Sequence, residues 1–144
     1  MTTIRHGTLL FLRVSMGLLM LVWAVDKFVN PEHGVAVAEH FYFGVLSAPS
    51  AMPLLGAVQI ALGLLVLAGA ARRYVYPLLA FVTGVTMIGV WRSIVDPWGW
   101  YMDGANALFF PSLIIFAAVL VLIAFRDEDR LSLDARMQSS RAAD

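Results

Sequence analysis

The chain contains no cysteine. That absence excludes disulfides, thiolate metal sites, cysteine-ligated iron–sulfur clusters and thiol redox chemistry carried by this chain itself. Charge is scarce too. Asp, Glu, Lys and Arg make up 14% of the 144 residues, against roughly a quarter in a soluble domain. Ten basic and ten acidic side chains cancel, so no long-range field favours nucleic acid. A Gly-rich phosphate loop, a nucleophile elbow and a zinc-protease motif are all missing. What is there is apolar: 60% of residues are hydrophobic and the mean hydropathy is +0.80. A cytosolic globule and a disordered tail are excluded. The composition is that of one small integral membrane domain.

Four apolar runs, at about 9–29, 51–70, 75–95 and 105–125, each match the ~20 residues that cross a bilayer. They end at Asn30-Pro31, Arg72-Arg73, Asp96-Pro97 and Arg126-Asp127, where proline or charge stops the apolar pattern. The expected fold is all-α, an integral membrane four-helix bundle over 1–130. Residues 131–144 read as a flexible cytoplasmic tail. The longest connection, apolar but interrupted by Glu32, His33, Glu39 and His40, suggests an outer interfacial helix at about 34–46. The alternative for the first run, a cleaved signal peptide, is weakened by its length and by Arg13 within it.

Basic residues fall unevenly. Arg5, Arg72, Arg73, Arg126, Arg130, Arg136 and Arg141 lie on one side of such a bundle, with only Lys27 and Arg92 toward the other. The positive-inside rule places both termini in the cytoplasm, and the chain is expected in the cell's inner (plasma) membrane. Trp23, Trp91, Trp98, Trp100 and Tyr101 gather toward the outer face, as an interfacial belt does.

A charge at the centre of a span costs at least ~2.5–3.5 kcal/mol, so the polar residues within spans carry the functional signal. Asp26 and Arg92 each lie about seven residues beyond the middle of their spans, roughly 10 Å above the midplane. Gln59 lies slightly deeper, and Asn106 opens the fourth span at the same face. This alignment suggests a pocket in which an Asp26–Arg92 pair sets the charge. Lys27 lies at the same depth as a further site residue, Gln59 and Asn106 would hydrogen-bond, and Trp23 and Trp91 would pack on the ligand under Trp98 and Phe41-Tyr42-Phe43. Such a pocket suits a quinone headgroup, whose carbonyls need donors while its tail stays in lipid. The competing reading is that these groups satisfy one another or snorkel to the interface.

Other candidates are weaker. Arg13 sits about four residues inside the cytoplasmic edge, where it can snorkel, and a structural or lipid-phosphate role is expected. No span contains a histidine, so a bis-histidine haem is not expected. His33, Glu39 and His40 follow no recognised metal-site spacing, and no metal is expected.

RVSMGLLMLVWAVDKFVNP in the first span, LLGAVQIALGLLVLAGAARR in the second and RLSLDA after the last together resemble the DoxX family of small four-helix membrane proteins. Arg13, Asp26, Lys27 and Asp134 match its pattern. Gln59 stands where members often have glutamate, and Arg126-Asp127-Glu128-Asp129 replaces the usual Gly-rich turn. The resemblance implies an association with membrane redox systems. The expected function is therefore a membrane component of an oxidoreductase system, working with a soluble or membrane partner and open to homo-oligomer formation. The alternative is a non-catalytic anchor or assembly subunit. A transporter is disfavoured by the absence of a clear broken helix.

Overall fold

The structure, a computed structural model, describes residues 2–41, 47–48 and 50–141. Among them every regular element is helical. α1 is Thr2–Val29, α2 Pro31–Phe41, α3 Ala51–Ala68, α4 Arg72–Gly89, α5 Trp91–Val95, α6 Pro111–Ala124 and α7 Leu133–Arg141. Three segments are long and apolar enough to cross a membrane: Thr3–Val29, Ala51–Ala68 and Ala107–Ala124. The expected third span is not one continuous helix. Two arginines open α4, and the helix breaks at Val90 (φ −97°, ψ 21°) before α5 resumes. Gly89, a poor helix former, precedes the break.

Helix boundaries follow local chemistry. Asn30 closes α1 by donating to the Asp26 carbonyl, and its own carbonyl accepts from His33 and Gly34 as α2 begins. Pro31 opens α2, where its missing N–H costs nothing. At the end of α3, Gly69 (φ 65°) donates to the Val66 carbonyl and Ala70 to that of Leu65, a Schellman arrangement that requires a left-handed residue. Pro111 occupies the first turn of α6.

One core joins the four long helices: Met16 and Met20 of α1, Leu62 and Val66 of α3, Val75, Tyr76 and Leu79 of α4, and Val119 and Leu122 of α6. α1 and α3 approach most closely where Gly17 faces Gly63. A Cβ on Gly17 would lie 3.0 Å from the Gly63 carbonyl oxygen and 2.6 Å from Leu67 Cγ. Outward faces are strongly apolar, with Phe11, Leu54, Phe81, Ile88 and Ile114 exposed. In a helix apolar on both sides, such faces belong to lipid.

The start of α1, the 126–129 segment, the α3–α4 turn and the start of α7 lie at one end of the molecule. Asp134, in the segment expected as a flexible tail, docks on the α3–α4 turn. Asp134 accepts from the backbone N–H of Ala71 and of Arg72, both at 2.9 Å, and its own N–H donates to the Gly69 carbonyl. α2 and the 96–106 loop occupy the opposite end, with His40 beside Gly104. α2 overlaps the expected interfacial helix as far as Phe41; positions 42–46, including Tyr42 and Phe43, lie outside the described residues.

Candidate functional site

At the end away from the termini, the last two turns of α1 present adjacent charges with different partners. Lys27, half-buried, donates from Nζ to Gln59 Oε1 of α3 at 2.7 Å and to the Trp23 carbonyl at 3.2 Å. Among the described residues no carboxylate forms an ion pair with it. Gln59 is buried, and its Nε2 has only a weak acceptor, Met20 Sδ at 3.8 Å. Asp26 turns the other way and accepts from His33 Nδ1 of α2 at 2.6 Å and from Asn30 Nδ2 at 3.4 Å.

The expected Asp26–Arg92 pair does not form. Arg92 is exposed, lies 5.8 Å over the Trp91 ring and reaches only the Asp103 carbonyl at 3.5 Å. The α4–α5 break removes the helical continuity that would have held it at the inferred depth. Nor does Asn106 enter a pocket: its Oδ1 caps the turn at 107–109 by accepting from Leu108 N–H. Trp91 is about half exposed. Of the seven residues expected to line one site, the structure joins Trp23, Lys27 and Gln59. Asp26 adjoins them, while Trp91, Arg92 and Asn106 belong to the 90–106 segment.

That segment is rigid for a specific reason. The buried Asp96 carboxylate accepts three backbone N–H bonds, from Trp100 (3.0 Å), Tyr101 (2.6 Å) and Met102 (2.8 Å). The Tyr101 N–H contributes most to holding this carboxyl below the usual aspartate range; burial opposes it and the other N–H groups assist. The loop presents Trp98 stacked on Trp100, with ring centroids 5.2 Å apart, beside a Tyr101 that is 88% exposed.

The terminal end holds a denser cluster. Arg13, at a depth from which it can snorkel, is 1% exposed. It forms an ion pair with Asp129 at 2.8 Å and donates to the Val66, Leu67 and Leu131 carbonyls. Arg72 donates to the Arg126 and Asp129 carbonyls and pairs with Asp134 at 3.4 Å. Tyr76 points its hydroxyl at Asp129 Oδ2 from 3.5 Å. Two arginines thus balance two aspartates, which is what permits burial. Burial pushes the Asp134 carboxyl upward, but the Arg72 and Ala71 N–H groups and the Arg72 guanidinium outweigh it and leave it below its ordinary value.

The DoxX family model matches residues 8–92, more than half of the chain. The chain belongs to the DoxX family. No curated protein and no solved structure matches it. Members are generally membrane proteins associated with oxidoreductase-related functions, and this DoxX chain is a multi-pass membrane protein by its helices and family. The match contains Arg13, Asp26, Lys27, Gln59 and Arg72 but stops before Asp129 and Asp134. The roles of Arg72, Tyr76 and Asp129 were missed in the sequence. The available signal was an arginine inside the first span together with acidic residues directly after the last.

Proposed function

We propose that this DoxX protein is the membrane component of a quinone-linked oxidoreductase system in a bacterial inner membrane. It has four spans, with α4 and α5 together forming the third, and both termini in the cytoplasm. Lys27, Gln59 and Trp23 contact the quinone headgroup in the outer half. The observation that carries this reading is Lys27: an ammonium at span depth, hydrogen-bonded to an amide and a backbone carbonyl rather than paired with a carboxylate. An ammonium has three donors, and two are engaged. The third, with the weakly engaged Gln59 amide, supplies the donors that a quinone carbonyl oxygen requires. A bound quinone would supply two-electron, two-proton chemistry. Lys27 would orient one carbonyl, Gln59 would fix its direction, and Trp23 would pack on the ring.

A second reading, a non-catalytic anchor, draws on the rigid Trp98–Trp100–Tyr101 surface, which suits a partner subunit. Native mass spectrometry of the protein released from mild detergent separates the two. Quinone retained by the wild type and lost in Lys27→Met supports the first reading. A co-purified oxidoreductase with no quinone supports the second. A bare chain in both samples would overturn both.

A further inference from the structure

At the terminal end, a cleft of about 280 Å³ opens between α1, the last turn of α3 and the segment leading into α7. Leu10, Leu67, Leu131 and Leu133 form its walls, with buried Arg13 on the inner side and exposed Arg136 on the outer. Among the described residues no carboxylate lines it. Arg13 is already engaged by an ion pair with Asp129 and by three carbonyls. The Arg136 guanidinium has no hydrogen-bond or ion-pair partner among the described residues, whereas Arg126 and Arg5 each pair with an acid. The cleft sits where α3 ends at the Schellman turn and charged residues begin, the level of the headgroups for a helix that spans the bilayer.

We propose that this cleft is a binding site for one anionic phospholipid. Its phosphate sits at Arg136 and the start of its acyl chain lies along Leu10, Leu67 and Leu133. Charge complementarity selects this occupant. An apolar wall ending at an unpaired guanidinium matches an acyl chain ending at a phosphate, and nothing in the cleft repels negative charge. A second protein helix fits less well, because the cleft is short and ends at the membrane–water boundary. The site lies at the opposite end from Lys27 and Gln59, and so goes beyond the quinone reading without depending on it. Since Leu131, Leu133 and Arg136 flank Asp129 and Asp134, an occupied cleft also presses α7 into its docked position.

The test compares full-length wild type with Arg136→Gln and Arg141→Gln by native mass spectrometry, in mixed micelles of detergent with phosphatidylglycerol or phosphatidylcholine. One phosphatidylglycerol should bind in preference to phosphatidylcholine. Arg136→Gln should weaken it about fivefold, the effect of one basic side chain at a membrane surface, with Arg141→Gln unchanged. Arg136 is exposed, so folding should survive its replacement, and gel filtration and circular dichroism check this. Equal binding of the two lipids overturns the site. Equal loss in the two variants reduces it to general surface charge. Displacement of the lipid by millimolar glycerol phosphate at the same affinity would show a free-anion site with no role for the acyl wall.

Discussion

Arg13 shows how the partners of a single side chain escape a local reading of the sequence. Its position in the first span predicts an ion near the membrane edge, and a long side chain there ordinarily reaches outward. The structure turns it inward because Asp129 and the Val66, Leu67 and Leu131 carbonyls offer it more bonds than the surface does. The partner lies far away in sequence, beyond the reach of any local pattern. Breaking a buried pair leaves an uncompensated charge and costs about 3–5 kcal/mol. Arg13→Met should therefore lower the thermal midpoint in detergent sharply, and Arg13→Met with Asp129→Leu should recover part of the loss. If the double variant were as unstable as the sum of the singles, no coupling would exist. Gly69 belongs to the same cluster. A Cβ there would sit 2.6 Å from Ser132 Cβ and 2.9 Å from Arg13 Nη1, at φ 65°. The left-handed backbone alone costs a non-glycine residue roughly 1–2 kcal/mol, so Gly69→Ala should exceed that range. A stability change below ~1 kcal/mol would contradict the packing.

At the level of elements, hydropathy located the helical segments because their apolar content is set by lipid, which is a local property. α1 and α3 follow the expected spans closely, with α1 extended toward the N terminus. What hydropathy could not register was the break at Val90, since α4 and α5 remain apolar across it. That break is why Arg92 and Asn106 part from Lys27 and Gln59. The loop after it is governed by one carboxylate, so Asp96→Ala should release the Trp98–Trp100 stack. The exciton signal of the paired indoles in circular dichroism should then fade, with the helical signal retained. Persistence of that signal would show that the N–H bonds to Asp96 do not hold the loop. Its pH dependence has a definite sign. The folded pKa lies below the unfolded value of about 3.9, so the stabilisation is complete above that value and is lost as pH falls through the lowered folded pKa. The stack should survive at pH 4 and disappear only in stronger acid; a midpoint near neutrality would exclude Asp96 as its cause.

For the whole molecule, the asymmetry of basic residues was plain in the sequence, and the structure gathers the start of α1, the α3–α4 turn and the start of α7 at the basic end. The absence of cysteine gives a clean assay of orientation. Ser139→Cys and Trp100→Cys each introduce the chain's only thiol. In intact cells an impermeant maleimide should label Trp100→Cys directly and Ser139→Cys only after the membrane is opened. The reverse pattern would invert the proposed topology. The candidate site was only partly legible. Depth along a span can be counted from the sequence, but rotation about the helix axis depends on packing. Asp26 and Lys27 are adjacent at one depth and still face different partners, His33 and Gln59.

The latch formed by Asp129 and Asp134 has a consequence for how the protein is made. Synthesis runs from the N terminus, so Arg13 and Arg72 enter the membrane long before their counter-charges exist. Until the ribosome has released the segment around 129–134, the guanidiniums of Arg13 and Arg72 lack their carboxylates and α4 lacks the carboxylate that caps its first N–H groups. The nascent helices are thus held incomplete until that segment appears. A chain cut short by a premature stop would carry that deficit permanently, and quality-control proteases could recognise it without inspecting the rest of the fold.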